Sequence, residues 1–406
     1  MTGARPRLTS VADGLHLARR RVPPAVLQQF VNGAGDLTTH DRNVQAFREV
    51  FFRPRHGRFH ERRDLRTTVL GHDLAIPLVA SSISALGLGH PDGEAGVARA
   101  IGDAGGIQFV SAVCSQPIEQ IMAAATGPVY FQPYFFGTGR AGVEATIERV
   151  RAAGCTGLVF LIDSVCGHTP MRALAPHERR FLPGGTSARD VVRFAPQLVT
   201  RPGWSWSYLR GRISTRTPMA LAADGSELPL AWVRRHLYDQ WFDWADLEWV
   251  RAAWDGPIVV KGALSADDAR RAVAGGATGV VVSNHGGNRL DGTIPALPVL
   301  PDVVAAVGDE IDVLFDSGVR TGPDVVKALA LGARAVGLGR AYLYPFIAAG
   351  EAGVGTILEV FRRDIDATLA YLGCTRLDEL GPEHLEVLWP QASRNRSSDG
   401  ASLPAR

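Results

Sequence analysis

Lysine is almost missing from this 406-residue chain: Lys261 and Lys327 are its two ammonium side chains, and arginine supplies the rest of the 43 basic residues. Cysteine is sparse as well. Cys114, Cys155, Cys166 and Cys374 form neither a CxxC pair nor a metal-ligand spacing, which excludes a disulfide scaffold and predicts a reduced, cytoplasmic protein without a metal centre. No apolar run is long and charge-free enough to span a bilayer, and the start Met1-Thr-Gly-Ala-Arg-Pro-Arg lacks the apolar core of a signal peptide, so neither insertion nor secretion is expected. Excess charge is missing too. With 43 basic against 41 acidic residues the formal charge is +2, too small a field to point to nucleic acid or an anionic membrane as partner. The arginine-rich stretch 53–66 also carries Glu61 and Asp64 and reads as solvated surface.

What is present is ordinary globular material, 46% hydrophobic and 21% charged, enough for a sizeable core. From residue 77 onward, short β-branched runs alternate with Ala-rich amphipathic stretches, the pattern of repeated βα units. Strands are predicted at 77–82, 108–111, 129–134, 157–163, 257–261, 278–283, 313–316 and 335–339, the eight that a closed (β/α)8 TIM barrel needs. Helices are predicted between them at 93–104, 118–125, 142–153, 266–274 and 322–331. Residues 1–70 read as a helical cover that begins with helices at 10–21 and 24–31. The whole of 1–390 is expected to be one domain, with 391–406, rich in Ser, Arg and Asn, a disordered tail. One interval breaks the rhythm. Residues 164–243 are too long for a connection and carry Trp204, Trp206, Trp232 and Trp241, which marks a lid or binding insertion after the fourth strand.

Unusual polar residues fall at the C-terminal ends of the predicted strands: Ser111, Gln132 with Tyr134, Asp163, Lys261, Ser283 to His285, Asp316, and Gly339 with Arg340. That rim is where barrel enzymes build active sites. Lys261 follows Ile258, Val259 and Val260, so its ammonium needs a partner to offset desolvation, either a nearby carboxylate or negative charge developing on a reduced cofactor. The junctions Asp316-Ser-Gly-Val-Arg-Thr-Gly322 and Gly337-Leu-Gly-Arg340 place glycines and arginines just before helices, which suits a phosphate, although glycines there also serve tight turns. His285, in Ser283-Asn-His-Gly-Gly, and Asp163 end the sixth and fourth strands and project to the same rim. An aspartate on one imidazole nitrogen would fix the tautomer of a histidine that takes a proton with the other.

These stretches resemble the FMN-dependent α-hydroxy-acid oxidase and dehydrogenase family. The resemblance is carried by Gly33-Ala-Gly-Asp36 with Asn43-Val-Gln-Ala-Phe47, His90-Pro-Asp-Gly-Glu94, Phe131-Gln-Pro-Tyr134, Val260-Lys-Gly262, residues 244–254, 282–292 and 316–340. It implies FMN, with the flavin ring on Ala80, Ser81, Ser82 and Ile83, and Ser111, Gln132, Lys261 and Ser283 around its polar edge. Asp316, Ser317, Gly318, Arg320, Gly339 and Arg340 would hold ribityl and phosphate. It further implies His285 as base, Asp163 as its partner, Tyr134 and Lys261 as catalytic groups, and a homotetramer.

The substrate-binding set departs from the family's pattern. Where the family has a carboxylate-binding arginine three residues after the histidine, this chain has Asn288, with Arg289 one place later. Gln29 stands for the family's N-terminal tyrosine, Leu161 for a threonine, and the second arginine falls near Pro170, with His168 and Arg172 as displaced candidates. Losing a bidentate arginine costs about 2–5 kcal/mol of carboxylate binding if nothing replaces it. The combination is similar to the mycofactocin-system branch, which shares His-Gly-Gly-Asn and oxidises a peptide-derived lactam amine. The expectation is therefore an FMN enzyme acting on a larger, non-standard small-molecule or peptide-derived substrate. The alternative is a conventional 2-hydroxy-acid enzyme with Arg289 or Arg172 as clamp.

Overall fold

The computed structural model describes residues 8–58, 60–164, 188–214, 216–236 and 242–389. His168, Arg172, Cys166, Trp241 and the 391–406 tail lie outside the described residues. Eight parallel strands close a barrel: β1 (Leu78–Ala80), β2 (Ile107–Ser111), β3 (Val129–Gln132), β4 (Gly157–Leu161), β5 (Ile258–Ala263), β6 (Gly279–Val282), β7 (Asp312–Phe315) and β8 (Ala335–Leu338). Every predicted strand is present, with ends moved by at most two residues, and β8 pairs with β1 to complete the ring, Val336 opposite Leu78.

Because side chains alternate along a strand, one register fills the interior of the barrel. Val79, Phe109, Tyr130, Val159, Val259, Val281, Leu314 and Ala335 form a single buried cluster there. Val69, Leu70 and Leu74, from the hairpin that pairs Thr67–Val69 with His72–Leu74, join it. Two residues further along the same register stand Ser81, Ser111, Gln132, Leu161, Lys261, Ser283, Asp316 and Gly337. The opposite register, including Val260, Val280, Phe315 and Leu338, packs outward against the helices. The interior thus changes from apolar to polar within one pleat period, and the C-terminal rim is polar because of it.

Helices Gly93–Asp103, Ile118–Ala124, Ala266–Ala274 and Gly322–Ala330 match their predicted ranges within a residue, whereas Gly139–Ala152 starts three residues early, across glycines of low helix propensity. The N-terminal cover needs correction. Helices Val11–Arg21, Pro24–Val31 and Thr38–Arg48 are followed by strand Val50–Phe52, which pairs antiparallel with Leu385–Val387, and then by the hairpin. Strands of three residues carry no readable alternation, and one has its partner at the far end of the chain. In the 53–66 stretch, Arg63 forks onto Asp366 at 2.7 Å through two nitrogens, so part of the expected solvated surface is a fixed ion pair.

The first helix lies on the long helix Arg340–Leu372, which breaks at Ala349 and Gly350. Gly14 permits the contact: a Cβ there would sit 2.7 Å from Pro345 Cδ and 2.8 Å from its nitrogen. Gly14→Val should cost about 1–3 kcal/mol by forcing the helices apart. The readout is a lower urea midpoint, and an unchanged midpoint would refute the packing.

Candidate active site

The polar rim is organised by the hydroxyl of Ser283. It accepts from Lys261 Nζ at 2.8 Å and from the His285 N–H at 3.1 Å, and donates to Asp316 Oδ1 at 2.5 Å. One donor and two acceptor positions are all a hydroxyl has, so Ser283 is saturated. Asp316 is equally committed. Its Oδ1 also accepts from Ser317 Oγ at 3.0 Å, and its Oδ2 accepts from Lys261 at 2.8 Å and Ser81 Oγ at 3.3 Å. Burial works to raise the Asp316 carboxyl, but Lys261 and the hydroxyls hold it below the usual carboxylate range. Of the two partners open to Lys261, a carboxylate is therefore present.

His285 leaves β6 in a left-handed turn, φ +58° at His285, +62° at Gly286 and +77° at Gly287. A non-glycine residue in that region is strained by about 1–3 kcal/mol, a cost met at functional sites. Ser317 helps to hold the turn, its Oγ accepting from Gly286 N at 3.1 Å. The turn presents the His285 Nδ1 to both carboxylate oxygens of Asp163 at 3.1 Å each. Gly262, φ +109°, lets β5 pass Asp163 so closely that a Cβ would meet the Asp163 Cβ at 2.8 Å. Burial pushes the Asp163 carboxyl up, but His285, Lys261 and Arg289 outweigh it and hold the group at about 2. Burial pushes the His285 imidazole below its ordinary value. Asp163 pulls it up, and Arg289 and Lys261 add to the fall.

A second chain of hydrogen bonds crosses the rim. Ser82 Oγ donates to Gln132 Oε1 at 2.6 Å, and Gln132 Nε2 donates to the Tyr134 hydroxyl at 2.6 Å. Ser84 and Ser111 hydroxyls lie 3.2 Å apart beside it. Burial raises the Tyr134 phenol, while Arg289 pulls it back. Ala80 and Ser81 are buried at the end of β1, with Ile83 half-buried beyond them. Arg289 exerts its field on Tyr134, Asp163 and His285, and its Nε is buried without a hydrogen-bond partner among the described residues. Asn288 faces elsewhere. Its Oδ1 accepts from Arg340 at 3.2 Å, so the structure brings Arg289 to the histidine and Asn288 to the far arginine. Gln29 is half-buried on Pro24–Val31.

Other residues that hold the site had no role in the sequence reading. Asn43 and Asn284 exchange two amide hydrogen bonds of 2.8 Å directly before His285. Asp291 accepts from the N–H groups of Asp36 and Thr39 at 2.8 Å each, tying the histidine loop to Thr38–Arg48. Glu94, buried and raised by that burial, accepts from Leu86 N, Ser115 N and Ser115 Oγ at 3.0, 3.0 and 2.6 Å, fixing the loops after β1 and β2. Asn43 and Glu94 sit in stretches quoted for the resemblance, but spacing alone does not show what a side chain touches.

The sequence profile of FMN-dependent dehydrogenases matches residues 18–387. The chain belongs to that family. Over 388 residues it is 37% identical to the pre-mycofactocin synthase of Mycolicibacterium smegmatis, covering 93% of this chain and 94% of that protein. It is 35% identical to the L-lactate dehydrogenase of Actinobacillus pleuropneumoniae, covering 92% and 97%. The crystal structure of a monotopic membrane protein, (S)-mandelate dehydrogenase, superposes with a TM-score of 0.85 at 34% identity, covering 93% of this chain and 99% of that one.

The residues present fit FMN, the family's cofactor. Arg320 and Arg340 lie close enough for their charges to interact, and neither has a carboxylate partner among the described residues. Among the described residues, the buried Arg340 Nε has no partner, and a Cβ on Gly339, which caps the long helix, would meet nothing within 4 Å. One buried and one half-buried guanidinium, an open glycine and a helix N-terminus suit a phosphate. Asp316 is the exception. With both oxygens taken by protein groups, it braces Lys261 and Ser283 instead of offering a free carboxylate to the ribityl chain.

Lys261→Met would strand Asp316 in the interior. In cofactor-free protein it should destabilise by about 3–5 kcal/mol, and a second change, Asp316→Leu, should recover most of that loss. Equal chemical-denaturation midpoints for Lys261→Met and wild type would exclude the buried pair.

Proposed function

We propose that this enzyme oxidises a carbon bearing a hydroxyl or an amine, with His285 taking the proton, on a substrate larger than a short 2-hydroxy acid. The observation that carries the reading is the His285–Asp163 pair. Asp163 occupies Nδ1 and orients the ring, and Nε2 makes no hydrogen bond among the described residues, so it faces a substrate proton unengaged. FMN, when bound, supplies the two-electron acceptor for a hydride. Asp163, ionised near neutrality, steadies the imidazolium that forms. Tyr134 lies within the same electrostatic cluster and is positioned to hydrogen-bond the reacting oxygen or nitrogen. Lys261 offsets negative charge at the rim. Arg320, Arg340, Ser317, Gly318 and Gly339 hold the phosphate end, and Ser82, Ser111 and Gln132 the polar edge of the ring. A homotetramer belongs to the same reading.

Two features favour the larger substrate: the family's arginine position is Asn288, whose side chain is engaged by Arg340, and the interval after β4 is long. A relative bearing the name pre-mycofactocin synthase adds support. A conventional 2-hydroxy acid is the second reading, favoured by the Arg289 Nε, which has no partner among the described residues. Anaerobic mixing of the yellow holoenzyme with 2-hydroxy acids and with peptide-derived cyclic amines separates them. Bleaching by glycolate, lactate or mandelate that Arg289→Met abolishes would establish the second reading, and bleaching by the amines alone the first. In either case His285→Ala should slow flavin reduction by about 100- to 10,000-fold. Full reduction by that variant would remove the proposed base.

The pH dependence has a definite sign. A base must be unprotonated, so kcat/KM falls as pH drops through the His285 pKa, which lies below the ordinary histidine value. Asp163 is the group that raises it, so Asp163→Asn should move the acid limb to lower pH while lowering the plateau. A limb that moves upward contradicts the pairing.

A further inference from the structure

The helix Thr38–Arg48 lies against two glycine turns of the rim. A Cβ on Gly287, in the histidine turn, would sit 2.6 Å from His40 N and 3.1 Å from its Cβ, and one on Gly318, in the turn that leads to Arg320, would collide with Asn43 O. His40 and Asn43 are three residues apart, so one face of the helix spans both turns. The histidine turn is also held by Arg340, whose Nη1 donates to Gly286 O at 2.9 Å. His40 thus joins the two guanidiniums of the phosphate end.

The His40 side chain is 21% exposed, and its Nδ1 lies 2.8 Å from Asp41 Oδ1. A carboxylate there keeps a proton on Nδ1, so the neutral ring carries its lone pair on Nε2, which makes no hydrogen bond among the described residues. Burial and then Arg340 push the imidazole down, Asp41 pulls it back, and Arg320 adds to the fall, which leaves it below the ordinary histidine value. Other elements packed on the helix change little. His285 is engaged by Asp163, and Asp291 is taken by the N–H groups of Asp36 and Thr39. Leu297–Val299 and Val50–Phe52 carry no charge, and Lys327 meets the helix at Phe47 O, two turns away. Near neutrality the ring is therefore uncharged beside two cations.

We propose that His40 is a third member of the FMN phosphate site, taking up a proton on Nε2 as the phosphate arrives and pairing with it. A lone pair on Nε2 repels phosphate oxygens, so the ring must be protonated there to donate. A phosphate monoester dianion cancels the charge of both guanidiniums, which replaces the repulsion that keeps the ring neutral with attraction. The proton comes from solvent, and no covalent bond changes. Affinity for FMN is then greatest below the His40 pKa of the loaded site and falls as pH rises through it. The proposal rests on Arg320 and Arg340 as holders of the phosphate and is independent of which substrate the enzyme takes.

The test follows FMN release from diluted holoenzyme by the fluorescence of free flavin, from about pH 7 to about pH 9, where the phosphate of free FMN is already a dianion. Wild type should release FMN about ten-fold faster at the upper end, each unit by which phosphate raises the histidine pKa being a factor of about ten in affinity. His40→Gln should release it at the faster rate throughout, and His40→Arg, charged over the whole range, at the slower one. Calorimetric titration of the FMN-free full chain in neutral buffers of different ionisation enthalpy should show proton uptake with FMN in wild type, and none in His40→Gln or with riboflavin, which lacks the phosphate. Uptake that persists in His40→Gln overturns the proposal, as does a pH dependence of release that this substitution leaves in place. Loss of FMN from both His40 variants overturns it too, since the position then supplies shape and not charge. Arg340→Gln separates this proposal from the site reading beneath it. Release as slow as wild type would remove the phosphate assignment and His40 with it, whereas fast release, beside a His40→Gln that behaves as wild type, would overturn the role of His40 alone.

Discussion

The buried ion pair of Lys261 and Asp316, bridged by the Ser283 hydroxyl, is the constraint on which the rim depends. An ammonium and a carboxylate inside a barrel are each expensive to desolvate and are tolerated only when each hydrogen-bonding position is met. Here four acceptor positions on Asp316 meet Lys261, Ser81, Ser283 and Ser317, and the same Ser283 hydroxyl receives the His285 N–H. The position of the histidine backbone is therefore fixed by an ion pair between β5 and β7. Moving any one of these groups leaves another unsatisfied, which makes the rim rigid before any ligand is bound.

That rigidity follows from strand periodicity. The inward register that carries Val259, Val281 and Leu314 inside the barrel carries Lys261, Ser283 and Asp316 one step later. Shifting a strand by one residue would expose its polar group to the helix layer and bury an apolar one at the rim. Packing and site placement are thus the same specification. The left-handed turn at His285 departs from it locally, and the strain is held by Ser317, whose own φ is +89°, and by the Asn43–Asn284 amide pair.

This explains what the sequence made legible. Eight strands with β-branched runs and polar ends are visible because they repeat a short-range pattern, and the family follows from residues 282–292 and 316–340 read together. The pairing of Val50–Phe52 with Leu385–Val387 was not legible, nor was the hairpin, because three-residue strands show no period and their partners are set by tertiary packing. For Glu94 and Asp291, nothing in the local pattern shows that backbone donors from distant loops converge on them. The roles of Asn288 and Arg289 depended on the turn. Neighbouring residues after a left-handed bend point in unrelated directions, and only coordinates assign one to Arg340 and the other to the histidine.

The exchange at these two positions has a chemical consequence. The family pattern places its arginine at the Asn288 site, yet here that residue binds the cation at the phosphate end, and a guanidinium reaches the histidine from the next position. A buried guanidinium nitrogen that finds no acceptor among the described residues is unfavourable, and the Arg289 charge lowers the His285 pKa as well, weakening the imidazole as a base. Any hydrogen-bond acceptor that pairs with Arg289 relieves the first penalty, and an anionic one would also screen the imidazole and relieve the second. A substrate anion there would return the imidazole toward its ordinary value. Under the proposed function, this favours a substrate whose hydrogen-bond acceptor meets Arg289, a carboxylate doing so with charge and an amide carbonyl without it.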